Sequence, residues 1–185
     1  MQSTINAIKS ELRLYMNGPL AQSLRERGLK YHLIFGVELP RLKEIASKYE
    51  KDHALAQALW KEDIRECRIL AGYLQPADTF LPEIADIWLE AMHDTEIIDF
   101  TCMNLFRRLP YAKDKAFQWM ASEAVLTQYT GFRLMAHLLR SQDTTPLSPQ
   151  DKDELIDQAE AAQASDSPLL KHIACEIVEK TGFLR

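Results

Sequence analysis

Arg68-Ile69-Leu70-Ala71-Gly72-Tyr73-Leu74 returns in near copy as Arg133-Leu134-Met135-Ala136-His137-Leu138-Leu139, and more loosely as Lys171-His172-Ile173-Ala174-Cys175-Glu176-Ile177. Between the first two, Thr101-Cys102-Met103-Asn104-Leu105-Phe106 occupies the same phase with its cationic position replaced. The starts at 68, 101, 133 and 171 lie 33, 32 and 38 residues apart, the length of one helix pair in an α-solenoid. Each copy closes a unit, preceded by a shorter amphipathic helix opening near Asp52, Pro82, Asp114 or Asp151. A lone pair of this kind cannot bury its apolar face, so successive pairs stack. The expectation is an all-α chain, an α-α superhelix of stacked pairs, forming a single domain over residues 1–185. Tetratricopeptide repeats would give the same architecture, but their Trp-Leu-Gly-Tyr pattern is not visible.

Helical periodicity extends outward from these copies. Ile5, Ile8, Leu12 and Tyr15 recur at helical spacing, as do Leu42, Ile45, Ala46 and Tyr49, and then Ile84, Ile87, Trp88 and Ala91. Gly18-Pro19, Gly36, Pro76, Pro82, Pro110, Pro146, Pro149 and Pro168 punctuate the pattern. Helices are predicted near 3–16, 19–28, 39–50, 53–60, 63–75, 81–93, 95–108, 112–121, 123–141, 149–163 and 167–181. Only Tyr31 to Val37 carries any strand character.

Composition narrows the classes of function. The net charge is −5, which excludes a wholly basic nucleic-acid coat. Charge is uneven, however: residues 1–60 carry nine Lys and Arg against six Asp and Glu, whereas residues 141–185 carry four against nine. Any basic surface is therefore local. No apolar run is long enough to cross a bilayer, and the N-terminus is polar and amphipathic, so a cytoplasmic protein away from membranes is expected. Cys67, Cys102 and Cys175 are far apart, without a CxxC pair or a histidine at metal-ligand spacing, and read as small buried thiols. No Walker A loop, GxGxxG, HExxH or Ser-His-Asp arrangement is present. Trp60, Trp88 and Trp119 lie in amphipathic helices and read as core residues.

The stretch from Tyr31 to Leu74 resembles the N-terminal half of the DNA alkylation repair protein family, part of the HEAT-like repeat DNA glycosylase superfamily. Three features carry the resemblance: the Gly-Val-x-x-Pro-x-Leu-Lys helix start at Gly36 to Lys43, the Leu-Ala-x-x-Leu-Trp helix at Leu55 to Trp60, and the Arg65-Glu66 helix ending at Leu74. It is most specific over these 44 residues and continues weakly to about residue 140. It implies HEAT-like helix pairs whose concave face grips duplex DNA and removes cationic alkylated purines such as 3-methyladenine and 7-methylguanine. Such a purine is already a good leaving group, so the catalyst chiefly needs a carboxylate to stabilise an oxocarbenium sugar and to position water. No metal and no organic cofactor is implied.

Carried onto this sequence, the family's catalytic Asp is Asp99, within Thr95 to Phe106. The Trp that precedes the Asp by four residues in the family is Thr95 here. Arg133 matches a family arginine, and Tyr129 is the aromatic residue near the position of a second Trp. The implied DNA contacts are Arg65, Arg68, Arg108, Arg133 and Arg140. Arg65 and Arg68 share a face at i, i+3 and Arg133 and Arg140 at i, i+7, which suits phosphate contact and equally suits pairing with Glu62, Asp63 or Glu66. A partly buried Asp99 would need a cationic partner, Arg133 or Arg108. Arg107-Arg108 before Leu109-Pro110 also fits a helix C-terminus. His53 beside Asp52 reads as structural. The alternative function is a catalytically inactive repeat scaffold that binds a protein partner, or DNA without chemistry.

Overall fold

In the computed structural model, which describes the backbone of residues 1–140 and 147–182 and side chains as far as residue 180, the helix starts are fixed by local chemistry. Asn17, Asp52, Asp94 and Ser148 accept the first-turn N–H groups of Leu20, Leu55, Ile97 and Asp151. Pro19, Pro40, Pro82 and Pro149 occupy first turns, where a missing N–H does no harm. Eleven α-helices result among the described residues: α1 (Gln2–Leu14), α2 (Gly18–Glu26), α3 (Leu39–Ala46), α4 (His53–Trp60), α5 (Arg65–Leu74), α6 (Pro82–Glu90), α7 (Thr95–Asn104), α8 (Ala112–Met120), α9 (Val125–Arg140), α10 (Pro149–Gln163) and α11 (Pro168–Gly182). Each expected span holds one of them. The span 95–108 is divided, because Leu105 leaves the helical region and Phe106–Arg108 form a 3-10 turn. Pro110 then holds Leu109 extended and ends the unit. The break expected at Pro146, and residue 141 of the expected ninth helix, lie outside the described residues. Where strand character was read, Leu33 makes only an isolated parallel bridge to Ile64.

The helices stand in two rows. One row runs α3, α5, α7, α9, α11, each packed on the next; α4, α8 and α10 back onto α5, α9 and α11. The backing row is tied along its own length. Trp60 of α4 stacks parallel to Trp88 of α6 at 4.0 Å between centroids, and Trp88 donates its indole N–H to Gln57 Oε1. Asp86 of α6 accepts from Lys115 Nζ at 2.6 Å and from Trp119 Nε1 at 2.9 Å, both on α8. Lys113 of α8 reaches Asp151 of α10. The hydrogen bonds among these links span 29 to 38 residues, close to the repeat length read from the sequence. One apolar core continues from Ile5 to Ile177. All three tryptophans lie in it, as expected of them.

Cys67 and Cys102 are buried, and burial pushes the Cys67 thiol up to about 12. Cys175 corrects the expectation of three buried thiols: it is exposed. Ile173, Ala174 and Ile177 take the packed face of α11, which turns position 175 outward.

Candidate nucleic-acid interface

Arg65 and Glu66 open α5, and both are inside the protein. The Glu66 side chain is fully buried and accepts the backbone N–H groups of Phe35, Gly36 and Val37. Gly36 is required at this approach: its φ is +75°, and a Cβ there would stand 2.2 Å from the Asn17 carbonyl oxygen. Arg65, 3% exposed, gives Nε and Nη2 to the two carboxylate oxygens of Glu96 on α7, at 2.7 and 2.9 Å, and Nη1 to Glu66 and to the Val37 carbonyl. Its fork is filled by protein acceptors, which corrects its reading as a phosphate contact. A buried guanidinium is stable only when its donors are satisfied in this way.

Arg68, one turn on, points at the end of α6. Its Nη1 donates to the Ala91 carbonyl at 2.8 Å, its guanidinium lies over Trp60 and Tyr31, and Asp63 stands 4.0 Å away. That geometry makes Arg68 a helix-end anchor, although its buried Nε has no partner among the described residues. His53 contacts Gln75 through Nδ1, an arrangement internal to the pair α4–α5.

Asp99 lies where α7, α9 and α11 meet, its side chain 39% exposed. Tyr129 donates its hydroxyl hydrogen to Asp99 Oδ1 at 2.8 Å, and Arg133 Nε stands 2.9 Å from the same oxygen. Among the described residues no bond reaches Oδ2. Arg133 also donates to the Tyr129 oxygen, and its Nη1 meets Glu176 of α11 at 3.4 Å. Of the two partners foreseen for Asp99, Arg133 fills the role. Burial raises the Asp99 pKa above the ordinary carboxylate value, against the pull of Arg133 and Tyr129. Burial likewise pushes Tyr129 up to about 12. Glu176 ties in Arg140 at 2.9 Å and Lys180 one turn later. Thr95, at the position of the family's Trp, begins α7 without an aromatic face.

Beside this network runs a row of cations. His137 of α9 is depressed to about 4 by burial and then by the positive charges of Arg133, Arg107, Arg140 and Lys180. Arg108 is exposed and lowered by burial and by Arg107. Lys51, on the loop before α4, is lowered by burial and by Arg108, against the pull of Asp78. Among the described residues, the side chains of Lys51, Arg107 and Arg108 form no ion pair or hydrogen bond. Periodicity did not single out Lys51 or Lys180, because neither belongs to a recurring apolar phase. Among the described residues, no three His, Cys, Asp or Glu side chains are placed to hold a metal, and no helix is long and apolar enough to cross a membrane.

Stacked helix pairs with an acid, a phenol and a guanidinium converging on one row define an α-α superhelix of the HEAT-like type. The chain belongs to the DNA alkylation repair enzyme family, whose model matches residues 8–176. A solved structure described as "a new family of proteins related to the HEAT-like repeat DNA glycosylases with affinity for branched DNA structures" shares the fold with a TM-score of 0.86. The likeness covers 95% of this chain and 74% of that one at 17% identity. No curated protein matches the chain in sequence.

Proposed function

We propose that this protein binds DNA by its phosphate backbone along the cationic row, with Asp99, Tyr129 and Arg133 at the row's α9 end. The observation that carries this reading is the row itself. In a protein of net charge −5, the side chains of Lys51, Arg108 and Arg107 make no ion pair among the described residues, Asp78 acting on Lys51 only from a distance, and Arg140 and Lys180, both held by Glu176, continue them. Unneutralised cations held near one another are disfavoured unless an anion joins them, and phosphates spaced along a duplex provide that anion. Three unpaired cations predict a slope of about −3 for log affinity against log salt. Arg140 and Arg133 contribute to the face, each shared with Glu176; Arg65 and Arg68 do not.

A second reading adds chemistry, and the bonding of Asp99 favours it. One carboxylate oxygen is fixed by Tyr129 and Arg133 while the other has no partner among the described residues, and the side chain is partly open. An alkylated purine leaves with the electron pair of its N-glycosidic bond, which cancels its own positive charge. The free oxygen of Asp99 then faces the oxocarbenium sugar, and water adds at C1′ as its proton passes to the carboxylate. Free base and an abasic sugar result. Tyr129 does not replace the family's tryptophans as an aromatic contact: its ring is 3% exposed and packed in the core, and only its hydroxyl serves the site, by fixing Asp99.

The test is fluorescence anisotropy on duplex and branched DNA across a salt series, followed by release of methylated purines by wild type and Asp99→Asn. Binding of either DNA form with the predicted slope supports the interface, and release lost in Asp99→Asn supports the chemistry. A salt-independent or absent interaction would leave a protein-binding scaffold.

A further inference from the structure

Glu176 stands between the row of cations and Asp99, and its two oxygens serve different neighbours. Oε1 accepts from Arg140 Nη2 at 2.9 Å and from Lys180 Nζ, both in the row. Oε2 meets Arg133 Nη1 at 3.4 Å, longer than the roughly 2.7–2.9 Å of a tight charge-assisted bond. The same guanidinium holds Asp99 Oδ1 through Nε at 2.9 Å and the Tyr129 oxygen through Nη2, also at 2.9 Å. Arg133 therefore serves two carboxylates, a close one on α7 and a slack one on α11. Tyr129 binds Asp99 Oδ1 by its own hydroxyl, so the carboxylate has an orienting bond that does not depend on Arg133. The Glu176 side chain is 22% exposed, and a carboxylate so enclosed stays ionised only while cations or donors attend it. Among the described residues, the attending cations are Arg140, Lys180 and Arg133. Arg140, with 58% of its side chain exposed, is the one most open to a phosphate.

We propose that Glu176 is a positioning residue that couples the cationic row to Asp99 through Arg133. A phosphate that takes Arg140 and Lys180 leaves Oε1 without a cation, and Arg133 closes onto Glu176 in their place. The guanidinium draws back from Asp99 Oδ1, while the Tyr129 hydroxyl keeps that oxygen in position. Withdrawing the cation strengthens the hold of Asp99 on a proton and leaves its negative charge uncompensated, the state that best stabilises a cationic sugar. Asp99 is thus paired with Arg133 in the free protein and released from it when backbone phosphates are seated. The inference rests on the DNA-binding reading for its phosphate and on the chemistry of Asp99 for its purpose, but the contacts it uses are those of the free chain.

The experiment follows the Asp99 carboxyl by carbon NMR across pH, its signal assigned by its loss in Asp99→Asn. Free wild type is compared with the pair Arg140→Gln and Lys180→Gln, which imitates capture of both cations, with Glu176→Gln, and with all three substitutions together. The Asp99 titration midpoint is expected to rise in the paired variant and to fall in Glu176→Gln, where Arg133 belongs to Asp99 alone. With Glu176→Gln in place, the paired substitutions should no longer raise it. Saturating duplex DNA, with binding followed by anisotropy, is expected to raise the midpoint in wild type and to raise it less in Glu176→Gln. Equal rises with and without Glu176, in either comparison, would show that charge reaches Asp99 directly and would overturn the coupling. A midpoint that the paired substitutions leave unmoved would overturn it as well. Should wild type bind no DNA, the wider reading fails, whereas the free-protein comparison still decides whether Glu176 acts through Arg133. Arg140→Gln alone, at an exposed side chain, carries that comparison if the paired variant does not fold.

Discussion

Arg65 and Glu96 face each other as fork to carboxylate, with two parallel bonds of 2.7 and 2.9 Å that join α5 to α7 one repeat later. Arg65→Met removes these bonds and leaves Glu66 buried with only its backbone donors. The expected loss is roughly 3 kcal/mol of unfolding free energy, measured in urea. DNA affinity of the folded fraction is expected to stay within about twofold of wild type, since the guanidinium does not reach the cationic row. A large affinity loss without a stability loss would return Arg65 to the interface.

Asp99 gives the opposite pattern. Its folded pKa is raised, so its contribution to stability is present below the ordinary carboxylate pKa and is lost as pH rises through the folded value. At neutral pH the ionised carboxylate is therefore held at some expense to the fold. Asp99→Asn keeps an oxygen to accept from Tyr129 and is expected to melt at or above the wild-type temperature at pH 7, even as any base release disappears. Thermal melts at pH 4 and pH 7 check this, and a variant clearly less stable at pH 7 would show that the Arg133 pair outweighs burial.

His137 is lowered from its ordinary 6.5 to about 4, first by burial and then by Arg133, Arg107, Arg140 and Lys180. A depressed histidine contributes stability that is complete above its unfolded pKa and is lost as pH falls through the folded one. Wild type is expected to lose stability between about pH 6.5 and 4, and His137→Gln to lose less over that window. The same cations predict a further effect. DNA phosphates would screen them, so the His137 ring proton signals should titrate at higher pH in the complex. An unchanged titration would place the DNA elsewhere.

The helices were legible because their signals are local: apolar spacing, caps and prolines act within a few residues. The repeat was legible for the same reason, since the copies at Arg68 and Arg133 can be laid over one another without knowing the fold. Asp99 and Arg133 could be paired in advance because a half-buried acid demands a cation nearby. What was not legible is direction. Arg65 and Arg68 share a helix face in sequence, yet the first is consumed by Glu96 on the next repeat and the second by the Ala91 carbonyl. Searching one repeat length ahead of Arg65 for an acid would have found Glu96. Lys51 and Arg107 sit in loops and turns, where no periodicity marks them, and only the stacking of pairs brings them together. Cys175 went wrong because α11 ends the described stack and buries one face only.

Glu176 sets how much charge the row presents. It is drawn below its ordinary pKa as Lys180, Arg133 and Arg140 together outweigh burial, so it stays ionised and neutralises cations that would otherwise face a phosphate. Glu176→Gln frees Arg140 and Lys180 and leaves Arg133 to Asp99. Partly exposed pairs of this kind contribute little, so the stability loss is expected to be below about 1 kcal/mol. DNA affinity at low salt is expected to rise several-fold, with the salt slope steeper by about 1 to 2 as the freed cations release further counterions. Asp99→Asn in the same background would show whether Arg133 is then also free, because its remaining partner is only the Tyr129 oxygen. If Glu176→Gln binds no more tightly than wild type at any salt, the α11 end of the row lies outside the path of the DNA, and the interface contracts to Lys51, Arg107 and Arg108.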